Sequence, residues 1–124
     1  MKANFFEQII EHLPYGTVYL NSDKVIYVNS AVESIIGLSK QKLLKLSIEE
    51  LRFPKKLVEL YNKSKKEKKT LKLYEEPFIN YLGNKYLLNF FLVPISIKDE
   101  NFLLIVEDCS FLKSMEASKY EKQN

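Results

Sequence analysis

Residues 16–37 read Gly-Thr-Val-Tyr-Leu-Asn-Ser-Asp-Lys-Val-Ile-Tyr-Val-Asn-Ser-Ala-Val-Glu-Ser-Ile-Ile-Gly. Val18 and Leu20 alternate with Thr17 and Tyr19, the period of a half-buried strand. Asn21-Ser22-Asp23 supplies turn chemistry, and Lys24 to Val28 is a second β-branched run. Asn29 stands where its side chain can accept the first free amides of a helix, so it is predicted to be a helix cap. The apolar positions of that helix are Ala31, Val32, Ile35 and Ile36, and Gly37 ends it. The order is therefore strand, tight turn, strand, capped helix.

Upstream, Asn4 can cap a short helix whose apolar stripe is Phe5, Phe6, Ile9, Ile10 and Leu13, with Pro14 ending it. A helix this short needs docking to persist. Downstream, Ser39 can start a turn carrying Leu43, Leu44 and Leu46. Ser47-Ile48-Glu49-Glu50 is a capping box with Leu46 and Leu51 as its hydrophobic staple. Phe53-Pro54 opens the next helix, with proline at its first position and Leu57, Leu60 and Tyr61 inward. Strands are predicted over Thr70–Tyr74, Tyr86–Ile95 and Phe102–Glu107, with a turn at Asn80–Lys85 around Gly83. Glu75-Glu76-Pro77 suits an edge strand. Residues 109–124 are polar and helix-prone. Five strands with a helical insert between the second and third make an α+β domain.

This ordering resembles a PAS domain, a small sensory module. The matching residues are Gly16, the Ser22-Asp23 turn, Val28-Asn29, Ala31, Glu33 and Gly37, and the resemblance spans roughly residues 5 to 112. It implies a five-stranded antiparallel sheet with helices over one face. The implied division is an N-terminal amphipathic helix (1–14), a PAS core (15–108) and the start of a C-terminal signalling helix (109–124). Glu107-Asp108-Cys109-Ser110 is similar to the Asp-x-Thr motif through which PAS domains hand off to a following helix, so Asp108 and Ser110 are the implied handoff. The Ser110 hydroxyl is expected to cap that helix. The same resemblance places ligand-pocket candidates at Val18, Leu20, Ile36, Leu43, Leu60, Leu73 and Phe90.

The alternation in the last two strands carries a second message. In Tyr86–Val93 both alternate sets are largely apolar: Tyr86, Leu88, Phe90 and Leu92 on one face, Leu87, Phe91 and Val93 on the other. In Phe102–Val106 so are Phe102, Leu104, Val106 and Leu103, Ile105. A sheet with one wet face would alternate apolar with polar. The outer face therefore seeks cover, either from the chain's own N-terminal helix or from a second subunit. Candidates for a homodimer interface are Phe5, Phe6, Ile9, Ile10, Leu87, Phe91, Val93, Leu103 and Ile105.

Catalytic chemistry is not evident. The chain has 124 residues, 46% hydrophobic and 28% charged, with a formal charge of +3, one histidine and one cysteine. One His and one Cys cannot build a zinc site, so no metal is expected. His12 beside Glu11 reads as solvated or capping. No glycine-rich phosphate loop is present. Haem-binding PAS domains use a histidine on the helix after the capping box, where this chain has Leu57, Leu60 and Tyr61. The flavin-binding branch needs a cysteine on an interior helix, and Cys109 is not in such a place. No cofactor is expected, and the small-molecule ligand is unspecified.

Arg52, Lys55, Lys56, Lys63, Lys65, Lys66, Lys68 and Lys69 form a basic segment interrupted by Glu59 and Glu67. It reads as a solvated face rather than a nucleic-acid patch. No apolar run reaches the ~20 residues of a membrane span, and no signal peptide is evident, so a cytoplasmic protein is expected. The resemblance points to the sensing and dimerisation domain of a two-component sensor histidine kinase, with the kinase module elsewhere. The opening His-Leu-Pro-Tyr-Gly-Thr-Val-Tyr-Leu resembles nitrogen-regulation-type kinases of that class. The alternatives are the PAS regulatory domain of a transcription activator or a small basic nucleic-acid-binding domain.

Overall fold

The computed structural model of the chain describes residues 2–96 and 98–110, with the side chains of Lys2, Ala3, Asn4 and Phe6 outside the description. Helix α1 (Lys2–Glu11) leads into β1 (Gly16–Asn21) and β2 (Lys24–Val28). Ser22 and Asp23 both take positive φ, 49° and 70°, the primed two-residue turn whose twist suits a hairpin. Helices α2 (Ser30–Ile36) and α3 (Lys40–Leu43), a 3-10 turn (Ile48–Leu51) and α4 (Lys55–Glu67) follow. The chain then runs through β3 (Leu71–Ile79), β4 (Lys85–Ser96) and β5 (Asn101–Asp108). The five strands form one antiparallel sheet in the order β2-β1-β5-β4-β3.

One hydrophobic core lies between the sheet and the helical insert. Val18 and Leu20 of β1, Leu88, Phe90 and Leu92 of β4, and Phe102, Leu104 and Val106 of β5 are all buried on the same side. Val32, Ile35 and Ile36 of α2, Leu43, Ile48, Leu51, Leu57 and Tyr61 close over them. The predicted strand faces hold. Ser47 opens the 3-10 turn with both halves of its capping box: its hydroxyl accepts the Glu50 N–H, and the Glu50 carboxylate accepts the Ser47 N–H. Leu51 is buried and Leu46 packs on the core.

Several boundaries differ from the sequence reading. Asn4 lies within α1 rather than at its start. Pro54 is extended, φ −51° and ψ 143°, and precedes α4 instead of opening it, so its ring stays outside the helical hydrogen-bond ladder. Strand β3 continues through Glu75-Glu76-Pro77 to Ile79, because a bulge between Leu73 and Glu76 lets pairing with β4 resume. Pro77 is tolerated there since β3 is an edge strand. The predicted C-terminal helix beyond Ser110 lies outside the described residues.

Candidate functional site

The seven pocket candidates converge on the helix-covered face. Val18, Leu20, Ile36, Leu43 and Phe90 are fully buried, while Leu60 and Leu73 pack against the same core from its margin. Around them aromatic rings interlock. Phe53 stands 5.1 Å from both Phe78 and Phe90, and Tyr61 stands edge-on to Phe102 at 5.0 Å. The depressions on this side open at the surface. One of about 220 Å³ lies between the β1–β2 turn and α4, bordered by Asp23, Ser47 and Tyr61. Another of about 430 Å³ lies beside Phe53 and Val58.

Tyr61 carries the polar end of this face. Its hydroxyl donates to Asp23 Oδ1, which Lys65 Nζ also approaches at 3.1 Å. The Tyr61 hydroxyl and the Lys65 ammonium hold the Asp23 carboxyl below the usual range, while burial and Asp23 push the Tyr61 phenol up. The aspartate's position in the primed turn joins the first hairpin to α4.

Asn29 does cap α2, accepting from the Val32 N–H, and it does more. Its Oδ1 also accepts the Thr17 N–H at 2.9 Å, and its Nδ2 donates to the Ile10 and Tyr15 carbonyls at 2.8 Å each. One buried amide thus fastens α1, β1 and α2 together. Beside it, Glu11 Oε2 accepts from Tyr27 Oη and Lys40 Nζ, both at 2.9 Å, and Ser30 donates to the Glu11 carbonyl. Burial works against the Glu11 carboxylate, but Lys40 and Tyr27 outweigh it and hold its pKa down. Burial and Glu11 push the Tyr27 phenol up to about 12. No residue of this Glu11 cluster except its neighbour Asn29 was singled out from sequence, because an acid, a tyrosine and a lysine far apart in the chain carry no local pattern.

At the exit from β5, the Asp108 carboxylate accepts the Ser110 N–H at 2.9 Å. The Ser110 hydroxyl accepts the Leu87 N–H at 2.7 Å, and the Cys109 N–H donates to the Leu87 carbonyl at 2.9 Å. The Asp108 carboxylate thus meets the first amide of the exit and the Ser110 hydroxyl stitches it to β4; the helix that Ser110 is expected to cap lies outside the described residues. Cys109 is buried at the strand end with its thiol against the Leu87 carbonyl, and burial raises its pKa.

On the outer face of the sheet, Leu87, Phe91, Val93, Leu103 and Ile105 are half-buried. Of the α1 candidates, Phe5 is 65% and Ile9 47% exposed, and Ile10 is half-buried. The remaining interface candidate, Phe6, has its side chain outside the described residues. Half of the basic segment is ion-paired in place. Lys56 pairs with Glu76, Lys63 and Lys69 with Glu67, and Lys65 with Asp23. Arg52 lies over the Tyr81 ring at 4.5 Å.

Asn80 was also missed as a site residue. It is buried, donates to the Ile35 carbonyl, and accepts from the Leu82 and Asn84 N–H groups. Gly37 has φ +84°, and a Cβ there would come within 3.2 Å of Asn80 and Leu82. The Asn-x-x-Gly spacing of Asn80 and Gly83 was the available signal, since Asn turns hydrogen-bond their own backbone. Among the described residues no group of three or more His, Cys, Asp and Glu could hold a metal ion, and no helix is long and apolar enough to cross a membrane.

Comparison with known proteins agrees with this geometry. Solved structures of similar fold include a PAS domain from a two-component sensor histidine kinase, with TM-score 0.70 and 15% identity, covering 86% of this chain and 96% of that one. The PAS domain of a Colwellia psychrerythraea protein gives TM-score 0.73 at 14% identity, covering 89% and 98%. The PAS domain of an HTR-like protein from Haloarcula marismortui gives 0.69 at 21% identity, covering 86% and 91%. At these identities the likeness is one of fold. No match is found among curated proteins. A sequence profile described as PAS domain matches residues 4–70, more than half of the chain, and with the β2-β1-β5-β4-β3 sheet around an Asn29-capped α2 it establishes that the chain belongs to the PAS domain family.

Proposed function

We propose that this PAS domain is the signal-sensing and dimerisation module of a sensor histidine kinase, and that it passes a change in packing to a C-terminal helix through Asp108 and Ser110. In this reading the domain itself catalyses nothing and the kinase module is its downstream partner. The observation that carries the assembly half is the apolar, half-buried outer face formed by Leu87, Phe91, Val93, Leu103 and Ile105. An apolar sheet face that is only half-buried within one copy of the chain is covered when a second copy packs against it. The likeness in fold to a PAS domain of a two-component sensor histidine kinase supports the kinase assignment.

The sensing half rests on the helix-covered face. Its candidate residues are packed side chain against side chain. A ligand there acts by favouring one packing of α4 and the sheet over another, since only differential affinity shifts an equilibrium. Native mass spectrometry of the purified chain tests both halves. A dimer is expected, and a monomer at all concentrations would remove the assembly reading. A reproducible added mass would identify a ligand for this face, whereas its absence favours a partner protein as the signal.

A further inference from the structure

Along the middle of β4 the outward side chains read Leu87, Asn89, Phe91, Val93, with Asn89 the one polar residue between Leu87 and Val93. A lone amide in an apolar surface has to be satisfied by its neighbours, and this one is satisfied across three strands. Asn89 Oδ1 accepts the Glu75 N–H of β3 at 2.8 Å. Asn89 Nδ2 donates to Glu107 Oε1 of β5, directly opposite in register, at 2.7 Å. Glu75 sits in the β3 bulge with φ 54°, a left-handed conformation that costs a non-glycine residue about 1 kcal/mol or more. The Asn89 carbonyl takes up the N–H that this bulge turns out of the ladder.

The two ends of the bridge differ in kind. The bulge end belongs to the edge strand that packs under α4, and Lys56 of α4 pairs with Glu76, the residue after Glu75. The other end, Glu107, immediately precedes Asp108. Leu87, the preceding outward residue of β4, holds the exit with both its backbone groups, through the Ser110 hydroxyl and the Cys109 N–H. Hydrogen bonds join the bulge, Asn89 and Glu107, the chain itself carries Glu107 into the exit, and the Cys109 thiol approaches Asn89 Oδ1 at 3.8 Å.

We propose that Asn89 is a positioning residue that ties the β3 bulge to the exit at Asp108–Ser110, so that a shift of β3 under α4 is felt at the exit. A bulge is a discrete feature that is either in its register or slipped, which gives the two-state element that such coupling needs. The tie rests on the reading of Asp108–Ser110 as the output end of the domain.

The test is amide hydrogen exchange by NMR on the 124-residue chain at pH 8, read at Glu75, Leu87 and Ser110 against core amides. N89D keeps an acceptor for the Glu75 N–H but loses the donor to Glu107. Exchange at Leu87 and Ser110 is expected to rise by about tenfold, within the range of ordinary coupling, while Glu75 and the core hold. Adding E107Q restores a donor with the polarity reversed, and N89D/E107Q is expected to return both amides to wild-type rates. Unchanged rates in N89D, or a double variant as fast as N89D, would overturn the tie. Should N89D fail to fold, E107A removes the acceptor at the exposed end, and unchanged Leu87 and Ser110 exchange there overturns it equally. These rates report the tie in this chain whether or not assembly occurs, so it can fail independently of the dimer reading.

Discussion

Asn29 is buried and uses both ends of its amide, accepting from Thr17 and Val32 and donating to Ile10 and Tyr15. Replacing it with alanine removes the side-chain partner of the Thr17 N–H and the Tyr15 carbonyl, while the Val32 N–H and the Ile10 carbonyl keep backbone partners in the Asn29 carbonyl and the Leu13 N–H. The loss of a helix cap alone costs about 1 kcal/mol, and unsatisfied buried groups cost about 1–3 kcal/mol each, partly relieved by water. Asn29→Ala is expected to destabilise the domain by about 2–4 kcal/mol in denaturant unfolding. Asn29→Asp keeps the acceptors and should recover part of that loss. A loss below about 1 kcal/mol would mean that capping is the only role. The cap was legible from sequence because it is local, three residues from the amide it accepts. The bonds to Ile10, Tyr15 and Thr17 were not, because they depend on where α1 and β1 come to rest.

Helix α1 shows how an element is positioned by polar contacts at one end. Its C-terminal end is latched by Glu11 to Tyr27 and Lys40, and by Asn29 and Ser30 to its last carbonyls. The latch has a defined pH window. The Glu11 carboxyl titrates lower in the fold, so its contribution is present above the unfolded carboxyl range and lost as pH falls through the folded value. The Tyr27 phenol titrates at about 12 against 10.0, so its contribution is complete below pH 10 and is lost as pH rises through about 12. Glu11→Ala should bring the Tyr27 titration down toward 10, seen as the difference between spectrophotometric titrations with and without Tyr27→Phe. Hydrogen exchange over Glu7–Glu11 should rise while the core stays protected. A Tyr27 titration unmoved by Glu11→Ala would show that burial alone sets it. The apolar stripe of α1 is plain in the sequence. That its anchor is a carboxylate on the helix's last turn is a consequence of tertiary placement.

At the scale of the whole molecule, the outer sheet face and α1 decide whether the domain stands alone. Leu103 pairs with Tyr19 and Val93 across the sheet and belongs to the half-buried outward set. Leu103→Lys places a charge in that face without entering the core, so it should leave the fold intact and shift native mass spectra from dimer to monomer. The wild-type melting temperature should rise with protein concentration, as mass action requires of a stabilising assembly, and the variant's should not. A variant that remains dimeric would place the interface away from this face.

How far the sequence reaches follows from the range of the forces involved. Strand alternation, the primed turn at Ser22-Asp23, the Asn29 cap and the Ser47 capping box are set within four or five residues by sterics and local hydrogen bonds. Together with the apolar pattern they determined the family, the sheet and the convergence of Val18, Leu20, Ile36, Leu43 and Phe90 on one face. The β3 bulge, the Asn29 hub, the Glu11 latch and the stitching of Ser110 to Leu87 join residues up to tens of positions apart. Such bonds exist only after the core has closed and excluded competing water, and so the tertiary structure alone decided them.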